Sequence, residues 1–254
     1  MSILQLHGVS RSFGGVRAVE DASFTVERGQ LFGIIGPNGA GKTTLLNLIS
    51  GLINPDAGRI TLNGIDTTKR TPQYIARHGL ARTYQTIRLF DTMSVRENVM
   101  VGGHSALSYS FLAALSRRKI FKQHELALID HVDFLLDTVG LADRSNDPAI
   151  SLSYGEQRRL ELARALAAKP AILMLDEPAA GMNTRESENL SNLLRRLVDT
   201  TSLTVVIIEH NVRLMMELCD RIVVMNFGRK LKEGTPAEVR KDPSVIQAYL
   251  GRAA

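Results

Sequence analysis

The chain has a single cysteine, Cys219, in 254 residues. No disulfide can form within it, and a reducing cytoplasm is allowed. Cys219 ends the apolar run Met215-Met216-Glu217-Leu218-Cys219, a setting for a packed helix residue rather than a nucleophile. Long hydrophobic runs are also missing. The stretch 203–208 falls far short of the roughly 20 apolar residues of a membrane helix, so any membrane connection must run through a partner. The first residues lack a basic stretch followed by an apolar one, and no secretory signal is expected. Charge of one sign is not concentrated. The net charge of +5 is mild and scattered, unlike the one-sided basic surface of a nucleic-acid binder, and a solvated basic surface accounts for it. There is no internal repeat and no low-complexity linker. With 44% hydrophobic and 22% charged residues, the chain can bury a real core as one domain or one domain with a lobe.

What is present is a phosphate-binding loop pattern, Gly36-Pro37-Asn38-Gly39-Ala40-Gly41-Lys42-Thr43,. Leu31 to Ile35 before it reads as a buried strand, and Thr44 to Ile49 after it as a helix start. A strand, a glycine-rich turn and a helix N-terminus make an anion site from free N–H groups and the helix dipole. Lys42 would reach the β- and γ-phosphates, and the Thr43 hydroxyl would ligate Mg²⁺. A nucleoside triphosphate is the expected ligand.

Around this loop the pattern changes along the chain. The first thirty residues alternate in short runs, and residues 58–65 add a strand edge, which predicts a small antiparallel sheet. From about Phe90 to Ala168 the spacing is helical, in Glu125–Val139 and Glu156–Ala168 above all. Apolar strands return at Ala171 to Leu175 and Thr204 to Ile208, with a helix at 184–200 between them. That alternation predicts an α/β fold with a parallel sheet covered on both faces. The tail reads as a hairpin at 222–233 and a helix from Pro236. Segment 105–121 reads as an amphipathic surface helix, with a partner-facing element as the alternative. Residues 143–151 form a polar connector broken by Pro148.

Four further places carry chemistry. Ile172 to Leu175 leads into Asp176-Glu177. Asp176 would hold Mg²⁺ and Glu177 would polarise the attacking water as general base; alone, such a pair marks only a loop start. Leu152-Ser153-Tyr154-Gly155-Glu156-Gln157 opens a helix. Ser153 and Gly155 can present a hydroxyl and N–H groups to phosphate, or the stretch is a capping box with Glu156. His210 ends a buried strand, where it can reach the γ-phosphate; a lone His is more often structural. Gln85 can ligate Mg²⁺ or water, or be a surface residue. Arg158, Arg159 and Lys69 are expected to be solvated charge.

These elements in this order resemble the ATP-binding subunits of ABC transporters, over about residues 4–251. The resemblance makes 36–43 the Walker A loop, with Thr44 following it, Gln85 the Q-loop glutamine and 152–157 the signature. It makes Asp176 and Glu177 the Walker B end and His210 the switch histidine. Phe13 matches the aromatic that stacks on adenine, a core residue of the small sheet being the alternative. Arg82-Thr83-Tyr84-Gln85, Tyr154 to Glu161, Glu177 to Asn183 and the ending Ala248-Tyr249-Leu250-Gly251 look most like importers of branched-chain (hydrophobic) amino acids. Urea and amide importers are the nearest alternative. Two departures from the family pattern stand out. Tyr154 and Glu156 replace the first Gly and the Gln of the signature, and Asn183 stands where many relatives have Asp.

The resemblance implies a P-loop NTPase (RecA-like) core from 1–88 and 168–254, with an N-terminal antiparallel β subdomain, and an inserted helical subdomain at 89–167. It implies ATP and Mg²⁺, membrane-spanning permease subunits, a second ATP-binding subunit packed head to tail, an extracytoplasmic binding protein acting indirectly, and no nucleic acid. The expected place is the cytoplasmic face of the inner membrane, as a peripheral subunit. A soluble P-loop kinase would make 152–157 a mere cap. A non-transport ABC ATPase acting on ribosomes or DNA would normally carry tandem cassettes or long coiled-coil insertions, and neither is present.

Overall fold

The structure is a computed structural model that describes residues 1–104 and 118–250. The expectation for 105–121 falls outside that range except for the start of one helix. Among the described residues, ten strands form two sheets. The first, in the order β2-β1-β4-β5, joins β1 (Ser2–Phe13), β2 (Val16–Glu27), β4 (Ala57–Leu62) and β5 (Ile65–Asp66), all antiparallel. The second has the order β10-β9-β3-β8-β7-β6. In it β3 (Leu31–Ile35), β6 (Leu80–Arg82), β7 (Ile172–Asp176), β8 (Thr204–Ile208) and β9 (Arg221–Asn226) run parallel. β10 (Arg229–Gly234) closes the edge antiparallel to β9.

The central strands are β-branched and aliphatic, and every residue of β3, β7 and β8 is buried. Side chains alternate across a sheet, so these strands feed two cores. Leu31, Ile35, Leu173, Leu175, Val205 and Ile207 face one cluster, and Phe32, Ile34, Ile172, Met174, Val206 and Ile208 face the other. This is the pattern of a parallel sheet covered on both sides.

The helices cover those faces. α1 (Lys42–Ile49) follows β3, and α2 (Pro72–Arg77) precedes β6. α3 (Val95–His104), α4 (Arg118–Thr138) and α5 (Tyr154–Ala167) pack on one another. α6 (Thr184–Thr201) buries Leu190, Leu193, Leu194, Leu197 and Val198, spaced by three and four along one stripe,. α7 (Val212–Leu218), α8 (Pro236–Lys241) and α9 (Pro243–Leu250) complete the chain. The connector around Pro148 forms two 3-10 turns, Ala142–Arg144 and Ala149–Ser151.

Two strands have roles that local pattern does not reveal. β6 is only three residues long and ends in Arg82, so it carries no apolar run. β9 is half of the tail hairpin and also a parallel neighbour of β3. The two sheets meet at that hairpin, where Glu20 N–H donates to Gly228 O at 2.8 Å and Arg229 Nη2 bridges Glu20 Oε1 at 2.6 Å.

Candidate functional site

The phosphate loop joins β3 to α1 and is folded by its own backbone. Ala40 N–H donates to Pro37 O at 3.1 Å, and Gly228 N–H donates to Ala40 O at 3.1 Å. Gly41 is the N-cap of α1 at φ 96°, and no side chain caps that helix. A Cβ on Gly41 would lie 2.2 Å from Ala18 O, so glycine is required for two reasons at once. The uncapped first turn has amides to offer an anion. Lys42 is buried, and its Nζ donates to Gly36 O at 2.7 Å and Pro37 O at 3.1 Å. Thr43 is exposed and Thr44 half-buried on the first turn.

β7, separated from β3 by β8, delivers Asp176 and Glu177 to the carboxyl ends of the parallel strands, where such sheets bind ligands,. Glu177 is buried, and its φ of 51° is left-handed, a strained geometry for a non-glycine residue,. Its N–H donates to Ile208 O at 2.9 Å. One carboxylate oxygen, Oε2, accepts from Gln85 Nε2 at 3.0 Å; the other, Oε1, meets His210 Nε2. Gln85, Glu177 and His210 are thus brought together as one cluster. His210 contacts the carboxylate rather than standing alone at the strand end, and Gln85, although exposed, is tied to it through its amide.

Asp176 is engaged by a residue the sequence pattern did not single out. Arg82 Nη2 bonds its Oδ2 at 3.0 Å, with both side chains buried. Glu209 is a second such residue. It is buried, and its oxygens accept Ala179 N–H at 2.6 Å and His210 N–H at 3.2 Å. Burial first, and then the nearby Glu177 charge, push its carboxyl above the usual range, against those two amide bonds,. It ties the loop after Glu177 to the backbone of His210. A Glu beside His210 at a strand end was the signal available.

The 152–157 stretch is a capping box as well as a helix start. Ser153 Oγ accepts Glu156 N–H at 3.4 Å, and Glu156 Oε2 accepts Ser153 N–H at 2.8 Å. The Ser153 hydroxyl first, donating to Oε2 at 2.8 Å, and then the Ser153 N–H hold the Glu156 carboxyl below its ordinary value. Ser153 is exposed and Gly155 is buried against Glu186. Tyr154 is at hand to Gly181, whose added Cβ would lie 3.1 Å from the ring. Asn183 has a plain role. It caps α6, its Oδ1 accepting Glu186 N–H at 3.0 Å while Glu186 returns a bond to its N–H at 2.9 Å. Asn and Asp serve equally at that position.

Two expectations need correction. Arg158 is not solvated charge but a buried guanidinium with several partners; Arg159 is half-buried and Lys69 is exposed. Phe13 is not a core residue. It is 44% exposed, and Arg11 lies over its ring at 4.9 Å. The C-terminal helix also enters the site unforeseen. A cleft of about 240 Å³ is lined by Gly36, Pro37, Asn38, His210, Ala248 and Tyr249. Tyr249 is partly buried there, and burial pushes its pKa up to about 12.

Among the described residues no group of three or more His, Cys, Asp or Glu gathers for a metal. The Thr43 hydroxyl and the Asp176 carboxylate are hard oxygen donors. They fit Mg²⁺, which takes one or two protein oxygens and fills its shell with phosphate and water.

A family model described as "ABC transporter" matches residues 19–180, and one described as "Branched-chain amino acid ATP-binding cassette transporter" matches residues 229–254. The chain is 43% identical to the high-affinity branched-chain amino acid transport ATP-binding protein BraF of Pseudomonas aeruginosa, over 99% of this chain and 98% of the relative. It is 40% identical to LivG of Escherichia coli, a protein of the same description, with the same coverage. The crystal structure of the ADP conformation of MJ1267, an ATP-binding cassette of an ABC transporter, superposes with a TM-score of 0.85 at 29% identity, over 99% of this chain and 100% of that one. A nucleotide-free ATP-binding cassette from an ABC transporter gives a TM-score of 0.84 at 30% identity, covering 98% of this chain and 99% of its own.

Proposed function

The chain belongs to the ABC transporter family as an ATP-binding cassette, an ATPase, and we propose that it powers uptake of branched-chain or other hydrophobic amino acids through membrane-spanning partners. The observation that carries the reading is Glu177, held between Gln85 and His210, with His210 lining one cleft with the phosphate loop. A carboxylate fixed from both sides is oriented for one task, to take a proton from the water that attacks the γ-phosphate.

In this reading residues 36–44 grip the triphosphate, with Lys42 moving from its backbone acceptors to the β- and γ-phosphates. Phe13 stacks on adenine. Thr43 and Asp176 would hold Mg²⁺, which would supply charge neutralisation at the phosphates. Ser153 and Gly155 meet the nucleotide of a second subunit, so each site is complete only in a closed pair. ATP favours the closed pair differentially, and hydrolysis removes that preference. The helical subdomain at 89–167 and the Q-loop face permease subunits at the cytoplasmic side of the membrane. No described helix is long and apolar enough to cross it; in this reading the chain attaches there as a peripheral subunit, and an extracytoplasmic binding protein delivers the substrate.

The test is uptake into vesicles carrying the chain with its permease subunits and binding protein. ATP-dependent accumulation of leucine, isoleucine or valine is expected. Accumulation of urea or a short amide instead would move the substrate assignment. ATP turnover without any transport would remove the importer reading.

A further inference from the structure

Arg158 and Glu161 lie one turn apart on α5, the helix opened by Ser153 and Gly155. Both side chains are almost fully buried, at 3% and 5% exposed, and they pair at 3.2 Å. A buried ion pair is weak evidence for stability, because desolvation offsets the attraction. What the pair touches is more telling. Arg158 Nη1 donates to Tyr84 O at 2.9 Å, and its Nη2 donates to Gln85 O and to the Tyr154 hydroxyl, the latter at 2.9 Å. Glu161 holds the guanidinium itself, its Oε2 accepting from Arg158 Nη1 at 3.2 Å. Arg158 therefore grasps two neighbouring carbonyls, those of Tyr84 and Gln85, and Glu161 steadies the guanidinium that does so. The planar fork of Arg suits two neighbouring carbonyls; a Lys ammonium does not match it.

The held segment is the one that carries Gln85, whose side chain donates to Glu177 Oε2. Tyr154, which replaces a signature glycine, completes the arrangement. Its hydroxyl accepts from Arg158, and its ring rests near Gly181 in the loop that follows Glu177.

We propose that Arg158 and Glu161 are positioning residues for ATP hydrolysis: they clamp the 84–85 backbone to the signature helix and so hold Gln85 on the general base Glu177. This deepens the hydrolytic role proposed above and rests on it. Movement of the signature helix then alters the seat of the carboxylate in the same subunit. A contact made by Ser153 and Gly155 to the partner's nucleotide is thereby felt at this subunit's own Glu177.

The test is steady-state ATP hydrolysis by the full chain in its transporter complex. Arg158→Leu with Glu161→Leu removes both buried charges together and avoids an unpaired one. Displacement of a catalytic group by about an ångström costs on the order of 10²-fold. A kcat reduced about 10- to 100-fold is expected, with KM for ATP and the thermal midpoint near wild type. Arg158→Lys, which keeps the charge but reaches one carbonyl, is expected to fall between. The deciding measurement is a cycle with Gln85→Ala. If the pair acts through Gln85, the double Leu change adds little further loss in the Gln85→Ala background. Fully additive losses, or parallel collapse of kcat, KM and thermal midpoint, would overturn the clamp. Wild type and Glu177→Gln run alongside. If wild type hydrolyses ATP and Glu177→Gln does not, a normal kcat for the Leu pair sinks this inference alone. If wild type shows no hydrolysis, the proposed ATPase role fails and takes the clamp with it.

Discussion

Arg82 Nη2 lies 3.0 Å from Asp176 Oδ2, with the two side chains 4% and 6% exposed. The same guanidinium donates to Asn47 Oδ1 at 2.8 Å and Ser50 Oγ at 2.9 Å, at the end of α1. It also lies over the Tyr84 ring at 5.1 Å. One side chain thus joins the Asp176 carboxylate to the helix that starts in the phosphate loop. Arg82→Ala leaves a buried carboxylate without its partner, which costs about 3–5 kcal/mol. Arg82→Lys restores charge without the fork and is expected to cost less. Urea unfolding measures both; an alanine variant as stable as wild type would show the pair to be dispensable.

Glu177→Gln keeps the shape of the side chain but cannot accept a proton. ATP binding is expected to persist while hydrolysis falls ~10²-fold or more. Nucleotide binding and single-turnover assays separate the two. Turnover near wild type would take the general-base role from Glu177.

Gly102 and Gly103 on α3 make a paired test of packing. A Cβ on Gly102 would lie 2.0 Å from Arg164 O of α5, a backbone atom that cannot move alone. A Cβ on Gly103 would meet Leu128 Cδ1 at 2.3 Å, the end of a side chain that can rotate. Gly102→Ala is expected to cost about 1–3 kcal/mol by overpacking, and Gly103→Ala less. Thermal unfolding of both variants reads the difference, and equal loss would contradict the backbone contact.

Cys219 is buried just past α7, and burial pushes its thiol up to about 12. At pH 8 almost no thiolate is present, and the thiolate is the reactive form. An aromatic disulfide reagent is expected to label no cysteine in the native chain and one after denaturation. Fast native labelling would mean that the α7 end opens.

Asp242 accepts from Ser244 N–H at 2.9 Å and Ser244 Oγ at 2.5 Å where α9 begins, and Lys232 lies 3.1 Å from it. The Ser244 hydroxyl first, then Lys232, lowers its carboxyl to about 2 from 3.8. A depressed folded pKa contributes stability that is complete above the unfolded value and lost as pH falls through the folded one. Protection of α9 amides from hydrogen exchange is therefore expected to weaken between about pH 4 and pH 2, ahead of β3 amides. Asp242→Asn should remove that step.

Much of the fold was legible because it rests on local physics. Apolar runs at β3, β7 and β8 are what a strand buried on both faces requires, and the stripe in α6 is what a helix on a sheet requires. The glycine-rich loop was legible because a tight anion site needs glycine and a lysine at fixed spacing. β6 was not, since three residues ending in Arg have no apolar signature until Asp176 absorbs the charge. Arg158 looked like surface charge for the same reason, because burial of a polar group depends on partners far away in the chain.

The sequence by itself determined which residue types stand at the strand ends, the loop and the helix cap, since propensity, periodicity and capping act over a few residues. Tertiary structure alone decided who meets whom. Gln85 and Glu177 are 92 residues apart and Arg82 and Asp176 are 94 apart. Parallel pairing of β6, β7 and β8 brings those side chains to one edge of the sheet. No local pattern encodes such a meeting, because the free energy that holds it comes from burying the whole sheet between its two cores.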